Sequence, residues 1–230
     1  MLTLFYSSQL STTDRHRVEG DEALHGIKSL RLELGEEVKV TNGVGEWLIG
    51  SVSDIGKRYF EINVSRRGKD EEKSPRLIVI QALTKSDRMK ETIELLTVGG
   101  ADEIIPWESE RSIAKWQSDS RAKWDQIVVS ASKQSRRTRF PQIGKPVKSA
   151  EIRESYPDLL VLHESASNPI SSTEISGDSL VIVVGPEGGI SENEISLIGG
   201  KQVRLGAEVL RSAQAGFAGL AAIQTLLKRW

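Results

Sequence analysis

The chain has 230 residues, of which 38% are apolar, and its 31 basic residues nearly balance 32 acidic ones. This length suits two domains or one large one, and any contact with nucleic acid must come from local basic patches. The absence of cysteine excludes disulfides, a thiol nucleophile and a cysteine-ligated metal. The three histidines, His16, His25 and His163, lack metal-ligand spacing, so no metal site is predicted.

No part of the sequence predicts an association with a membrane. The apolar run from Leu180 to Val184 is far too short to cross one. The stretch MLTLFYSS lacks the basic start and the long apolar segment of a secretory signal. We therefore expect a soluble cytoplasmic protein.

The first part of the chain predicts a small β-barrel domain over residues 1–70. Asn42-Gly43 lies between two strand-like runs and is a strong hairpin signal, and residues 58–65 alternate apolar and polar side chains. Several short strands within so few residues are typical of a small barrel. Residues 22–35 can hold a short helix, and the charged segment 66–75 predicts a linker.

The pattern then changes, and residues 76–230 predict an α/β domain. Continuous apolar runs at 76–83, 157–165 and 179–185 are typical of strands buried on both faces. Met89, Ile93 and Leu96 share one face of a predicted helix that stops at Gly99-Gly100, and a long helical region is predicted around residues 113–128. Strands alternating with helices favour a parallel sheet with helices on both faces.

A bare loop at residues 185–189, Gly-Pro-Glu-Gly-Gly, follows one of these strands. Ser191 and Glu194 fit a capping box, so a helix is predicted to begin at Glu192. Ligands of open α/β sheets bind at this end of a strand, and glycine lets them approach the backbone closely. The loop has no basic residue and Glu187 disfavours phosphate, which favours a nucleoside-like ligand. A simple tight turn is an equally good interpretation of the loop alone.

Two other strand ends have similar features. Residues 201–220 predict a strand, a turn at Gly206 and a long helix whose start is rich in small residues, namely Ala213, Ala215, Gly216, Ala218 and Gly219. Tight packing within one core is the interpretation that this pattern favours. The third strand end is His163-Glu164, where a lone histidine is more often structural than catalytic.

Basic residues form one dense patch. Residues 133–148 contain six basic residues, no acidic residue and one aromatic, Phe140. With Lys85 and Arg88 they predict contacts to a nucleic-acid backbone, with an aromatic available for stacking. The alternative is a solvated surface loop.

These motifs, in this order, resemble the 16S ribosomal RNA uridine N3-methyltransferases, which belong to the SPOUT class of knotted methyltransferases. The resemblance covers nearly the whole chain and is carried by LHGIKSLRLELGEEVKVTNG, QALTKSDRMKETIELLTVGGADEIIPWESERS, QSRRTRFPQI, VVGPEGGISENEI and RLGAEVLRS. It implies a small N-terminal PUA-like β-barrel and a C-terminal α/β domain whose last segments thread a trefoil knot. It also implies a homodimer with the site near the subunit interface.

The resemblance further implies S-adenosylmethionine as cofactor and, as substrate, a uridine of 16S rRNA in the small ribosomal subunit, methylated at N3. Carried over residue by residue, the cofactor cradle comprises Leu162, His163, Glu164, Gly185, Pro186, Glu187, Gly188, Gly189, Leu205, Gly206, Val209, Leu210 and Arg211.

Catalysis needs a group that handles the weakly acidic N3 proton. Arg211 is the candidate stabiliser of the anionic uracil, and Glu187 is the candidate base; the alternative role of Glu187 is to orient the loop. RNA contacts are predicted for His25, Arg31, Lys85, Arg88, Arg136, Arg137 and Arg139. For His25 and Arg31, a local structural contact is an equally good interpretation. The family's Arg-x-Glu-Thr-Ala pattern is altered here, because Ala213 and Gln214 replace its glutamate and threonine.

Three other functions are compatible with the residues. The first is a SPOUT methyltransferase that acts on another RNA or on ribose O2′. The second is a non-catalytic protein that binds rRNA during ribosome assembly. The third is a nucleotide-binding enzyme, which Glu187 and the missing lysine disfavour.

Overall fold

The computed structural model describes residues 2–230, with only the backbone of residues 86 and 87. The chain forms two compact units. The first contains the residues up to Glu72 together with Val129–Phe140, and the second contains Lys73–Val128 and Pro141–Trp230.

The first unit is built on a five-stranded sheet in the order β1-β3-β4-β5-β2. Its strands are β1 (Thr3–Tyr6), β2 (Arg15–Glu19), β3 (Glu37–Thr41), β4 (Glu46–Ile55) and β5 (Tyr59–Lys69). All neighbours are antiparallel except β1 and β3, which run parallel. A short helix, α1 (Gly20–Leu24), and a π-helical turn (His25–Ser29) follow β2. Phe5 and Phe60 pack edge to face in the core of this unit.

The predicted linker 66–75 starts too early. Strand β5 continues to Lys69, because β4 offers backbone partners along its whole length, as far as the pair Glu46 and Lys69. The charges of this segment do not end the strand, since its side chains remain exposed or half-buried on the sheet surface.

Residues 129–140, which the sequence places in the α/β domain, belong to the first unit. The Thr138 carbonyl accepts hydrogen bonds of 3.0 Å from the Thr41 hydroxyl and from the Gly45 amide. The Phe140 ring lies against Gly43, where an added Cβ would come within 2.9 Å of it. This segment therefore forms part of the first unit through contacts of its backbone and of the Phe140 ring that the sequence pattern does not reveal.

The second unit contains a parallel sheet in the order β12-β10-β11-β6-β7-β8, with β9 also paired to β7. Its strands are β6 (Arg76–Ala82), β7 (Glu103–Glu108), β8 (Gln142–Ile143), β9 (Val147–Lys148), β10 (Leu159–Leu162), β11 (Ser179–Val184) and β12 (Lys201–Val203). The helices of the rest of the chain are α2 (Ser86–Gly99), α3 (Ser120–Ser135), α4 (Ser149–Ser155), α5 (Glu192–Ile198) and α6 (Ser212–Leu226).

Helices cover both faces of this parallel sheet, as the sequence predicts. Ile152 of α4 and Ile198 of α5 pack in one cluster with Val181 and Val183 of β11. On the other face, Gly219 of α6 approaches Leu162 and Ile182 so closely that an added Cβ would lie 3.0 Å from the Leu162 side chain. The small residues of α6 thus pack within this core, as their pattern favours.

Two predicted helix boundaries are confirmed and one is wrong. Helix α2 ends at Gly99, where Gly100 takes the left-handed conformation with φ 94°, and α5 begins at Glu192. The helix predicted around residues 113–128 begins only at Ser120. The Trp116 amide instead donates to the Glu108 carboxylate at 3.0 Å, which holds the preceding segment out of helical geometry. Within residues 2–230, the helices are all too short or too polar to cross a bilayer.

Candidate functional site

The second unit contains a cavity of about 270 Å³ that is bounded by the segments following β10, β11 and β12. All of the predicted cradle residues line it except Gly188. Its lining also includes residues outside the predicted cradle, namely Val184, Ile190, Glu208, Ser212 and Ala215. The neighbouring positions of β12, β10 and β11 in the sheet explain why three segments far apart in sequence meet here.

The wall after β10 is held in place by the backbone. The His163 amide donates to the Val203 carbonyl at 3.0 Å, so the pairing of β10 with β12 extends into the cavity wall. The His163 imidazole accepts a hydrogen bond at Nδ1 from the Ser165 amide, 3.2 Å away. The histidine therefore stabilises the turn that presents Glu164.

The glycine loop, Gly185–Gly189, is a tight turn with its carbonyls engaged by donors. The Gly189 amide donates to the Pro186 carbonyl at 2.9 Å. Gly189 has a φ of 73°, a backbone conformation that residues with a side chain rarely adopt. The Gly185 carbonyl accepts from the Ser212 hydroxyl at 2.6 Å, and the Gly188 carbonyl accepts from Arg111 Nη1 at 2.8 Å. The loop is thus fastened from α6 on one side and from the segment after β7 on the other.

Helix α5 begins directly behind the loop with the predicted capping box. The Ser191 hydroxyl accepts from the Glu194 amide at 3.2 Å, and the Glu194 carboxylate accepts from the Ser191 amide at 3.4 Å. Glu194 is fully buried, and its Oε1 also accepts from the Glu110 amide at 2.8 Å and from the Ser149 hydroxyl at 2.7 Å. This single carboxylate joins α5, α4 and the segment after β7.

Residues 205–211 form the third wall and are largely exposed on their other side. Val209 is 79% exposed, although it lines the cavity. The buried Ser212, at the start of α6, receives a hydrogen bond of 2.9 Å from Gln81 Nε2. Ser212 therefore connects the core of the sheet to the glycine loop.

A smaller cavity of about 20 Å³ adjoins the first. Glu187, Arg211 and Ser212 line both cavities, and Arg88, Glu91, Ala213 and Gln214 complete the smaller one. Two guanidinium groups and two carboxylates thus border a small cleft beside the main cavity. Such groups can donate to carbonyl oxygens and accept a proton from a ring nitrogen. Among the side chains that the structure describes, no three or more of histidine, aspartate or glutamate converge as metal ligands would.

The residues predicted to bind RNA lie in both units and differ in their exposure to solvent and in their internal hydrogen bonds. In the first unit, His25, Arg31 and Arg136 are exposed and Arg137 is half-buried. Arg139 has an internal role, because its guanidinium donates to the Asp70 carbonyl at 2.8 Å and to Glu72 at 3.0 Å. In the second unit, Lys85 is exposed and Arg88 is half-buried beside the smaller cavity.

Sequence reasoning missed the contribution of the segment after β7. Glu110 accepts hydrogen bonds from the Ser191 hydroxyl at 2.7 Å and from Asn193 at 2.9 Å, and these bonds lower the pKa of its carboxyl group. Arg111 reaches the glycine loop, as described above. The only sequence signal was that both lie in WESERS, which ends one of the segments carrying the family resemblance.

Comparisons with known proteins agree with these features. A family model described as an RNA methyltransferase domain matches residues 71–224, and one described as an RNA methyltransferase PUA domain matches residues 18–65. A protein of Mycobacterium bovis named ribosomal RNA small subunit methyltransferase E is 35% identical, over 99% of this chain and 93% of its own length. The protein of that name from Bacillus subtilis is 26% identical, over 96% and 94%.

A solved structure has the same architecture throughout. It is a ribosomal RNA small subunit methyltransferase E from Neisseria gonorrhoeae bound to S-adenosylmethionine, with a TM-score of 0.87, 26% identity and coverage of 98% of each chain. The predicted fold class, a PUA-like domain combined with a SPOUT-class α/β domain, is confirmed.

Proposed function

The chain belongs to the family of small-subunit ribosomal RNA methyltransferases E, and we propose that it methylates one specific uridine of 16S rRNA at N3, with S-adenosylmethionine as methyl donor. The observation that carries this proposal is the cavity at the ends of β10, β11 and β12. Its walls contain the cradle residues that the family resemblance implies.

The lining of the cavity suits S-adenosylmethionine better than a nucleotide with a phosphate chain. The glycine loop offers bare backbone to the adenosine and methionine parts of the cofactor. Three carboxylates, those of Glu164, Glu187 and Glu208, line the cavity. They would repel phosphate, whereas the positive sulfonium tolerates them.

When bound, S-adenosylmethionine supplies an electrophilic methyl group on sulfur. The protein must place uridine N3 in line with that methyl and hold the base there, which contributes much of the acceleration. As the N3–C bond forms and the S–C bond breaks, the N3 proton leaves to a base. Arg211 would stabilise the anionic uracil, and Glu187 would accept the proton.

The smaller cavity supports this division of roles. Arg211 and Glu187 line both cavities, so they lie between the proposed cofactor site and the cleft bordered by Arg88. We propose that the reactive edge of the unstacked uracil lies beside Arg211 and Glu187 at this border, because its two carbonyl oxygens are acceptors for guanidinium donors.

The RNA backbone would be held by the exposed basic side chains of both units, among them His25, Arg31, Lys85 and Arg136. The homodimer and the cytoplasmic location implied by the sequence also belong to this proposal. Exposed apolar side chains of the second unit, Val98, Leu226 and Trp230, support a subunit interface.

The test is methyl transfer followed by analysis of the nucleoside formed. Purified protein is incubated with methyl-labelled S-adenosylmethionine and either small ribosomal subunits or free 16S rRNA, both from cells that lack this gene. The proposal predicts labelled 3-methyluridine. Labelled 2′-O-methylated nucleoside would mean a ribose methyltransferase, and bound RNA without label would mean a non-catalytic binder, so either result contradicts the proposal.

A further inference from the structure

We propose that Arg111 is a positioning residue for the cofactor, acting through the glycine loop without touching the ligand. This inference rests on the proposed function. Arg111 does not line the cavity, yet its Nη1 donates to the Gly188 carbonyl at 2.8 Å. Gly188 is in turn the one predicted cradle residue that does not line the cavity, which fits a carbonyl turned away from it.

The hydrogen bond of Arg111 fixes one peptide unit of the loop. In a trans peptide the C=O of one residue and the N–H of the next point in opposite directions. The Gly188 carbonyl is held by Arg111, and the Gly189 amide is held by the Pro186 carbonyl at 2.9 Å. The peptide plane between the two glycines is therefore fastened at both ends.

This position needs such a constraint more than the rest of the cavity wall does. Two adjacent glycines have more backbone freedom than any other residue pair, so ordering them on ligand binding is costly. A loop that is already ordered before binding avoids that cost, and affinity increases accordingly. Arg111 thus raises the affinity for the cofactor by ordering Gly188 and Gly189 in the free protein.

The arginine can do this because its own backbone is anchored. The Glu110 amide donates to the buried Glu194 carboxylate at 2.8 Å, and the Glu110 carboxylate accepts from Ser191 and Asn193 of the α5 start. The Ser109 hydroxyl pairs with that of Ser112 at 2.8 Å. The residues on either side of Arg111 are therefore held in place, and only the Arg111 side chain has to be ordered for its guanidinium to reach the Gly188 carbonyl.

The experiment compares S-adenosylmethionine binding by calorimetry in the full-length wild type, Arg111→Ala and Arg111→Lys. The matched control is Arg121→Ala, which removes an exposed arginine of α3. The loss of a charge-assisted hydrogen bond and of loop order predicts an affinity about tenfold weaker for Arg111→Ala. Arg111→Lys keeps one charged donor and is expected to recover part of the loss, while Arg121→Ala binds as the wild type does.

Two further readouts separate positioning from a general structural role. The melting temperature of ligand-free Arg111→Ala should fall by no more than about 4 °C, the shift expected in a chain of this size from the loss of one hydrogen bond, and its KM for the cofactor should rise while kcat at saturating cofactor stays unchanged. If Arg111→Ala does not fold, Arg111→Gln takes its place, because it keeps most of the side chain without the charge. Unchanged affinity in a folded Arg111 variant overturns this inference alone, whereas a wild type that does not bind S-adenosylmethionine overturns the proposed function with it.

Discussion

The Glu194 carboxylate accepts a hydrogen bond from the Ser149 hydroxyl over 2.7 Å in the interior of the second unit, joining α5 to α4. The same oxygen accepts from the Glu110 amide at 2.8 Å. Because Ser149 also accepts from Trp107 Nε1 at 3.1 Å, the buried polar groups on this side of the sheet form one connected network. The glycine loop rests on this network through the start of α5.

Replacing Glu194 with alanine should destabilise the second unit. The change leaves the Glu110 amide and the Ser149 hydroxyl without their buried acceptor, and such losses cost about 3 kcal/mol together. Urea denaturation should show the difference in the free energy of unfolding. Glu192→Ala, on an exposed residue of the same helix, serves as the control. Equal stability of the two variants would mean that the network contributes little.

Gly189→Val should abolish cofactor binding while the fold survives. The φ of 73° at Gly189 is unfavourable for a β-branched residue, so the loop must change conformation. The measurement is the rise in melting temperature on addition of S-adenosylmethionine, which the variant should lack. Gly177→Val is the matched control. Gly177 has a φ of 81°, an added Cβ there would meet no atom within 4 Å, and the residue does not line the cavity. Normal affinity of Gly189→Val would refute the assignment of the cradle.

Arg211→Ala should reduce the chemical step more than it reduces cofactor binding. If the guanidinium stabilises the developing uracil anion, its removal should lower kcat about a hundredfold, as for other donors to an oxyanion. Single-turnover methyl transfer at saturating cofactor and RNA measures this step directly. Arg121→Ala should keep the wild-type rate. A variant with normal kcat and a raised KM would make Arg211 a binding residue only.

The stability of the first unit should fall in mild acid because of His16. This side chain is buried, and burial lowers its pKa from the usual 6.5. The unfolded chain takes up a proton on His16 near pH 6.5, whereas the folded chain takes it up only at lower pH. The unfolded state then binds more protons, so the free energy of unfolding decreases as the pH falls through 6.5.

His16→Gln should remove this part of the pH dependence, measured by urea denaturation at a series of pH values. The control is His25→Gln, on an exposed histidine of the same unit, which should retain the wild-type slope because His16 is still present. An identical slope in His16→Gln would show that other groups control the acid response.

The parts of the site that depend on local chemistry could be predicted from the sequence. Ser191 and Glu194 are three residues apart and predict the helix start that the structure contains. The buried strands also followed from their apolar runs. In contrast, Arg111 contacts Gly188 and Glu110 contacts Ser191 across long stretches of chain, and no local pattern reports such pairs. Arg139 shows the same limit. In the sequence it looks like one more solvated basic residue, whereas in the structure it binds Asp70 and Glu72.

What the family resemblance added differs from what the residues alone predicted. The glycine loop by itself was compatible with an ordinary turn, and only the resemblance brought the ends of three strands into one expected site. The trefoil knot, the homodimer and the individual catalytic and RNA-binding roles stay predictions.

Reverse transcription across small-subunit rRNA tests the central claim most directly, because a methyl group on N3 blocks the Watson–Crick edge of uridine and stops the reverse transcriptase. We predict a stop at one uridine in cells that carry this gene. The stop should be absent after deletion and should return when the extracted subunits are treated with purified protein and S-adenosylmethionine. Identical stops with and without the gene, and no new stop after treatment, would contradict the account.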